Sequence, residues 1–265
     1  MFIVKVPGIN GENSEGCERA GNAILDALKK IHSNEQGNII DTKLLDLEEI
    51  HLDNSNLELT NKLIYENSLE TFETKTQVIF LGGDHSISYS TTKAFIQYCK
   101  NEKKKPCLII FDAHVDCLKT KKFATNRNWL RQIIEGGFPK EDILIVGARN
   151  IEKEEIIFTK ENKIKILSLS SLIEDLSDMC DTIMEFSNGK ELYVSINIDV
   201  IDPTFAPSTS YPEEGGLTSR QFLYLIQRIK KIKSLRAVDI VEINEKKDKD
   251  KVTIKLGAKI LAELI

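Results

Sequence analysis

Seven short apolar runs, separated by segments with helical periodicity, constrain the fold of this 265-residue chain most strongly. Several of them are apolar at consecutive positions and do not alternate with polar residues, as in CLIIF (107–111) and QVIFL (77–81). This pattern is typical of parallel strands that are covered on both faces. The other runs are FIVKV (2–6), DILIVGA (142–148), KIKIL (163–167), ELYVSINI (191–198) and LRAVDIVEI (235–243).

The segments between these runs carry amphipathic helical patterns, most clearly at residues 17–31 and 219–232, and LGAKILAELI closes the chain as a further helix. Strand–helix alternation with short connections predicts an α/β fold in which a parallel sheet lies between two helix layers. With 41% hydrophobic residues, we predict a single domain over residues 1–265. The polar segment 34–58 has the weakest pattern and is interpreted as a partly mobile excursion.

Charge and composition exclude several functional classes. The formal net charge is -5, Lys and Glu are mixed along the chain, and no long basic stripe predicts nucleic-acid binding. The start, MFIVKVPGIN, has no basic stretch followed by an apolar one, which argues against a secretory signal. No apolar stretch approaches the roughly 20 residues of a membrane span. Five cysteines without CxxC spacing favour reduced thiols, and hence a cytoplasmic protein.

Ionisable residues follow one of the most apolar strands. In FDAHVDC (111–117), the side chains of Asp112, His114 and Asp116 are two positions apart. In an extended chain they point the same way at steps of roughly 7 Å. Burying two carboxylates and an imidazole together costs several kcal/mol unless another charge neutralises them. The motif therefore predicts a bound cation.

Three further motifs also fall at strand ends. LGGDHS (81–86) carries Asp84 and His85, NIDVIDP (197–203) carries Asn197, Asp199 and Asp202, and VEIN (241–244) carries Glu242. Because ligand sites form at the carboxyl ends of parallel strands, we expect these side chains to meet at one edge of the sheet. Simpler interpretations are a glycine turn with a helix cap for GGDHS, a turn for Asp202-Pro203, and a lysine pair for Glu242.

The donor types indicate which ion such a site prefers. Imidazole and carboxylate ligands without thiolates favour Mn²⁺, with Zn²⁺, Fe²⁺ and Co²⁺ as alternatives. Two ions roughly 3.5–4 Å apart could share Asp112.

Together these motifs resemble the ureohydrolase family, which includes arginase and agmatinase and has the arginase/deacetylase fold. The resemblance is carried by GGDHS, DAHVD, SINIDVIDP and APSTSYPEEGGLTSRQ (206–221). It implies a three-layer α/β/α sandwich with a central, mostly parallel eight-stranded sheet, one or two manganese ions, and a homo-oligomer, either a trimer or a hexamer.

The resemblance also implies roles for individual residues. A metal-bound hydroxide would attack a guanidino or formimino carbon and release urea or a similar amide. Glu242 would be the catalytic and substrate-binding carboxylate, since forked donors suit a carboxylate. The implied ligands are His85, Asp112, Asp116 and position 197 for one ion, and Asp112, His114, position 197 and Asp199 for the other.

Three positions depart from the family pattern. Asn197 stands where the family has a bridging Asp, so it is expected to be a weak metal ligand. The segment NRNW (126–129) lacks the histidine that the family usually has in this window. Leu118 replaces an asparagine of the arginine-specific members. We therefore expect a weakened hydrolase of linear amidines that acts on a small guanidino or amidine compound.

Two alternatives remain open at this point. One is a non-catalytic protein that keeps the fold and at most one ion, and acts as a binding or oligomer partner. The other is a single-metal amidohydrolase for acetylated amines, with Asp112, His114 and Asp199 as ligands.

Overall fold

A single sheet of eight parallel strands organises the molecule, of which the computed structural model describes residues 2–119, 122–170 and 175–265. The order across the sheet is β2-β1-β3-β8-β7-β4-β5-β6, and every neighbouring pair is parallel. The strands are β1 Phe2–Val6, β2 Asp46–Glu49, β3 Val78–Gly82, β4 Pro106–Phe111, β5 Ile143–Val146, β6 Lys165–Leu167, β7 Glu191–Asn197 and β8 Leu235–Val241.

Helices cover both faces of the sheet, which confirms the three-layer α/β/α prediction. Their bounds are α1 Ala20–Leu28, α2 Leu57–Thr74, α3 Ile87–Asn101, α4 Trp129–Glu135, α5 Lys153–Glu161, α6 Leu176–Phe186, α7 Ser219–Ile229 and α8 Val252–Leu264. Helices α2, α3, α4 and α5 pack on one face, and α1, α6, α7 and α8 pack on the other. Neighbouring strand residues enter opposite cores, as Ile3 and Val4 do, which explains why the runs are apolar at consecutive positions.

The eighth strand lies in the polar segment 34–58. Strand β2 pairs in parallel with β1, with Phe2 opposite Asp46. All four of its residues, DLEE, are exposed, so this edge strand carries no apolar signal. The interpretation of the segment as a partly mobile excursion therefore missed a strand of the sheet.

Strand ends are set by backbone conformation as well as by apolar pattern. Strand β8 stops at Val241 because Glu242 has a φ of 65°, which does not fit an extended strand. At the start of α7, Thr218 accepts a hydrogen bond from Gln221 N and forms a capping box with that residue, as its position predicts.

All five cysteines are buried and free. Among the described residues, no helix is both long enough and apolar enough to cross a membrane.

Candidate metal and substrate site

Four central strands deliver the chemically active residues to one edge of the sheet. Strands β3, β8, β7 and β4 are neighbours in that order, and each ends in one of the four polar motifs. The prediction that these motifs meet in space therefore follows directly from the topology. The predicted site residues brought together there are His85, Asp112, His114, Asp116, Asn197, Asp199 and Glu242.

The segment after β4 is a turn and not an extended chain. Strand β4 ends at Phe111, the backbone N of His114 donates to Asp112 Oδ1 at 2.7 Å, and Asp116 has a left-handed φ of 49°. The expectation that these side chains point the same way along an extended segment was wrong. They converge because the chain folds back, at a strained position of a kind that recurs in functional sites.

Two groups of possible ligand atoms share Asp112. In the first group, His85 Nδ1 lies 2.9 Å from Asp112 Oδ2 and 2.9 Å from Asp116 Oδ2. In the second group, His114 Nδ1 lies 3.4 Å from Asp112 Oδ1 and 3.2 Å from Asp199 Oδ2. Within each group the three ligand atoms lie within 4.8 Å of one another, which is close enough for one ion to contact all three.

The charges of this cluster suit a cation. Asp112, Asp116 and Asp199 are buried, and among the described residues their side chains form ion pairs only with the two imidazoles. Burial, reinforced by the charge of Asp112, raises the pKa of Asp116 to about 7 and that of Asp199 to about 6. Carboxylates that repel one another in a buried site are stabilised by a divalent ion, and the imidazole–carboxylate donor set fits one.

A buried network fixes the orientation of His85. Asp239, inside β8, accepts hydrogen bonds from Ser195 Oγ at 2.7 Å and from Tyr193 Oη at 2.8 Å. Because the one hydroxyl hydrogen of Ser195 goes to Asp239, the contact of 2.9 Å between Ser195 Oγ and His85 Nε2 has the imidazole as donor. His85 Nδ1 is thereby directed at Asp112.

Sequence reasoning missed this network, although a signal was present. Ser195 and Asp239 are polar residues inside otherwise apolar strand runs, ELYVSIN and LRAVDIV. A carboxylate that is fully buried in the middle of a strand requires partners, and these are found next to the ligand groups.

Asn197 joins the two ligand groups with its amide. Asn197 Nδ2 donates to Asp112 Oδ2 at 3.1 Å, and Asn197 Oδ1 accepts from the backbone N of Asp199 at 3.1 Å. Only the oxygen can accept from the Asp199 backbone, so the NH₂ group faces Asp112. A carboxylate at this position would present oxygen to both sides, whereas Asn197 presents hydrogen atoms to the ligand groups.

Glu242 is buried at 2% exposure and pairs with no lysine among the described residues, so the simpler lysine-pair interpretation was wrong. Its Oε1 accepts from the backbone N of His85 at 2.9 Å and from Asn126 Nδ2 at 3.2 Å. Its Oε2 is buried, and no atom of the described residues forms a hydrogen bond with it. Burial, together with the charge of Asp84, raises the pKa of Glu242 to about 8.

A cavity of about 280 Å³ connects Glu242 to both ligand groups. Its wall includes the window in which the family histidine was expected, and there Asn126 reaches Glu242. Acidic side chains outnumber basic ones in the wall, which favours a cationic ligand. The lining residues are His114, Asp116, Asn126, Arg127, Asn150, Glu152, Glu155, Asn197, Asp199, Ser210, Tyr211, Pro212, Glu213 and Glu242.

Two other acidic residues of the motifs have structural roles. Asp84 Oδ2 accepts from the backbone N of Asn10 and of Gly11, at 2.8 and 2.6 Å, and thereby ties the loop after β1 to the site. Asp202 accepts from backbone N–H groups of Thr204 and Gly215, as the turn interpretation predicts.

Comparisons with known proteins agree with this architecture. A family model described as "Arginase family" matches residues 1–265. Formimidoylglutamase from Bacillus subtilis superposes with a TM-score of 0.90 at 23% identity, over 99% of this chain and 85% of that one. Proclavaminate amidino hydrolase from Streptomyces clavuligerus superposes with a TM-score of 0.88 at 21% identity, over 99% of this chain and 89% of that one.

A sequence relative with a named activity is the mitochondrial arginase 1 of Arabidopsis thaliana. It is 30% identical over 190 residues, which is 70% of this chain and 53% of the arginase. The match thus spans about half the length of that enzyme.

Proposed function

Because the chain belongs to the arginase family, we propose that it is a metal-dependent hydrolase for a C–N bond of a linear guanidino or formimino compound. The products would be urea or a similar amide together with an amine or ammonia. The observation that carries this proposal is the unpartnered Oε2 of buried Glu242, which lies in the same cavity as the two ligand groups.

The residues fit a divalent ion, and we propose Mn²⁺, with Zn²⁺, Fe²⁺ and Co²⁺ as alternatives. When bound, such an ion acts as a Lewis acid and lowers the pKa of a water molecule. The proposed ligands are His85, Asp112, Asp116, His114 and Asp199, with Asn197 as a weak one.

Glu242 is the proposed substrate anchor. Its Oε1 is held by His85 N and Asn126 Nδ2, which fixes the carboxylate of a residue that lines the cavity. A guanidinium or amidinium group offers planar, forked N–H donors and a positive charge, and both match a buried carboxylate. A bound cation also favours the ionised form of Glu242, which burial otherwise disfavours.

Turnover is expected to be slow. A positioned acid/base group typically contributes about 10²–10⁴-fold to a rate. The cavity wall has Asn126 in the window where a histidine was expected. A carboxamide does not titrate near neutral pH, so it cannot serve as a general acid or base there. The role of Asn126 in this chain is to hold Glu242.

The test is an assay of the purified protein, loaded with Mn²⁺, against arginine, agmatine, guanidinobutyrate, formiminoglutamate and guanidine. We expect release of urea, formamide or ammonia from at least one of them, and a loss of at least about 100-fold in kcat/KM in Glu242→Gln. Glu263→Gln is the matched control, because Glu263 is also buried but pairs with Lys259 outside the cavity. The assay is repeated with Zn²⁺, Fe²⁺ and Co²⁺, and lack of turnover of all five compounds with each of the four ions would contradict the catalytic proposal.

A second candidate function is supported by the two amides at the site. Asn126 and Asn197 lie where the family resemblance leads us to expect a histidine and a carboxylate, which favours a protein that binds a guanidino compound without cleaving it. Calorimetry would then show binding of an amidine that Glu242→Gln abolishes, with no product formed over the same period.

A further inference from the structure

We infer that this chain holds a single ion, at Asp112, His114 and Asp199, and that the group of His85, Asp112 and Asp116 is closed by hydrogen bonds. The inference rests on the proposed function only in taking the protein to be metal-dependent. It is carried by two side-chain N–H donors, on Asn197 and Trp129, that contact the oxygens of Asp112 and Asp116 facing His85.

The first donor is the amide of Asn197. Its Nδ2 lies 3.1 Å from Asp112 Oδ2 and 3.5 Å from His85 Nδ1, so the NH₂ group is adjacent to two of the three ligand atoms. Its orientation is fixed because Oδ1 accepts from the backbone N of Asp199. The positive end of the amide dipole therefore faces the position where an ion would have to lie.

The second donor is the indole of Trp129, a fully buried residue at the start of α4. Trp129 Nε1 donates to Asp116 Oδ2 at 2.9 Å, and its ring packs 4.7 Å from the imidazole of His85. Asp116 Oδ2 is the same oxygen that contacts His85 Nδ1. Asp116 Oδ2 therefore accepts a hydrogen bond from Trp129 in addition to its contact with the imidazole of His85.

In the first group, N–H donors other than the imidazole reach the carboxylate oxygens. Each of the two oxygens that face His85 Nδ1 has such a donor, from Asn197 on Asp112 and from Trp129 on Asp116. An ion in this group would share both oxygens with N–H donors and would also face the NH₂ group of Asn197 in place of a ligand oxygen. Its binding is therefore expected to be weaker than in a site built from oxygen and imidazole ligands alone.

The second group has fewer N–H donors than the first. Among the described residues, Asp199 Oδ2 contacts only the imidazole of His114, because the hydrogen bond from the backbone N of Ala113 goes to Asp199 Oδ1. Asp112 Oδ1 accepts one hydrogen bond from the backbone N of His114, at 2.7 Å, and no side-chain amide or indole of the described residues reaches either oxygen. His114 has a side-chain exposure of 21% and lines the cavity, so an ion can enter from solvent and meet a substrate held by Glu242.

Mn²⁺ stoichiometry tests the inference. The metal-free protein is titrated with Mn²⁺, desalted and analysed for bound metal, and the same samples are examined by electron paramagnetic resonance, which distinguishes an isolated Mn²⁺ from a coupled pair. We expect one ion per chain with the spectrum of an isolated ion. Two ions per chain with a coupled spectrum, or no retained ion, would overturn the inference.

Paired variants locate the ion. Asp199→Asn is expected to lose the ion and Asp116→Asn to keep it, whereas the reverse pattern would overturn the assignment.

A second pair of variants removes the two N–H donors. Asn197→Asp is expected to add a second ion. The double variant Asn197→Asp/Trp129→Phe is expected to bind that second ion about tenfold more tightly, the equivalent of one hydrogen bond. If the double variant, shown to be folded by circular dichroism, still holds one ion, the closing role of these donors is refuted.

Activity is measured separately on the same samples, so the two proposals can fail independently. Turnover with two bound ions would leave the proposed function standing and refute the single-ion inference. One bound ion without turnover of any guanidino or formimino compound would leave the single-ion inference standing and refute the proposed function.

Discussion

Glu242 is the residue whose environment differs most from that of an ordinary glutamate. It is buried, has a left-handed φ of 65°, and leaves one carboxylate oxygen unpartnered. Burial, then the charge of Asp84, raises its pKa from 4.5 to about 8. A strained backbone and a strongly raised pKa at one position are typical of a site that is stabilised by a ligand and not by the fold.

This pKa predicts how the stability of the metal-free protein depends on pH. Between pH 4.5 and about 8 the folded state keeps a proton that the unfolded state has lost, so stability falls as the pH rises through this window. Glu242→Gln cannot titrate and should escape this fall. Its stability relative to wild type should therefore increase with pH, by up to about 1.4 kcal/mol for each pH unit.

Urea unfolding from pH 5 to pH 8 in the presence of a chelator measures this difference. Glu263→Gln serves as the control, because the Lys259 ion pair and the hydrogen bonds of Glu263 outweigh burial and lower its pKa below 4.5. From pH 5 to pH 8, the free energy of unfolding of Glu263→Gln should change with pH in parallel with that of wild type. If the curves of Glu242→Gln and wild type are parallel, Glu242 does not hold a proton in the folded state.

At the residue scale, the sequence predicted which ionisable side chains meet but not what neutral residues do among them. Spacing at strand ends brings His85, His114 and the aspartates together whatever their exact contacts. The contacts of Asn126 and Trp129 depend on the path of the loop between β4 and α4, which no periodicity encodes. Their hydrogen bonds could only be found in the folded structure.

At the scale of elements, the loops after β1 and β3 are packed backbone against backbone. Gly83 N donates to Val6 O at 2.9 Å and Asp84 N donates to Gly8 O at 3.1 Å. A Cβ atom on Gly83 would lie 2.1 Å from Gly8 O, so no side chain fits without moving one loop. The second glycine of the GGDHS motif, Gly83, is therefore explained by the close approach of the two loop backbones and not by a positive φ angle.

Gly83→Ala is therefore expected to lower the free energy of unfolding by at least about 1–3 kcal/mol, the usual cost of overpacking. It should also weaken Mn²⁺ binding if displaced backbone moves His85. Gly21→Ala is the matched control: it lies in α1, where the nearest obstacle is the flexible Lys5 side chain at 3.2 Å. There alanine should be neutral or stabilising by up to about 1 kcal/mol. Equal unfolding midpoints for the two variants would refute the close-packing explanation.

The strands that could be predicted from the sequence are those with apolar residues at consecutive positions. The seven apolar runs all contain strands, and six of these strands are buried at nearly every position because helices cover both faces of the sheet. The seventh, edge strand β6, is only partly buried. Strand β2 has no apolar pattern, since its residues are exposed and its pairing with β1 rests on backbone hydrogen bonds. The resemblance to a family with eight strands supplied what the pattern of this segment lacked.

At the scale of the whole molecule, the sheet order decides where chemistry occurs. The four strands that end in polar motifs are the central ones, so their loops are supported on both sides by neighbouring strands and helices. The trimer or hexamer and the cytoplasmic location, both expected from the sequence and its family resemblance, stay predictions.

Metal binding should be measurable as stability of the entire fold, because the ligands come from β4 and β7 and are assembled only in the folded state. An ion that binds only the folded protein stabilises it by about 2.7 kcal/mol at 100 times its Kd, and by about 1.4 kcal/mol for each further tenfold in concentration. For a chain of this size we expect Tm to rise by roughly 5–10 °C at 100 times the Kd of Mn²⁺.

The dependence of stability on Mn²⁺ concentration also counts the ions. A single site adds about 1.4 kcal/mol for each tenfold increase in Mn²⁺, and two equal sites add twice as much. Calorimetric scans over a range of Mn²⁺ concentrations therefore count the ions independently of chemical analysis.

Asp199→Asn should abolish the rise in Tm. The control is Asp26→Asn, an exposed residue whose carboxylate pairs with Lys29, and this variant should keep the full rise. A wild-type Tm that does not change with Mn²⁺ would mean that these buried carboxylates are balanced by protons alone, and the metal would then have no place in the function of this chain.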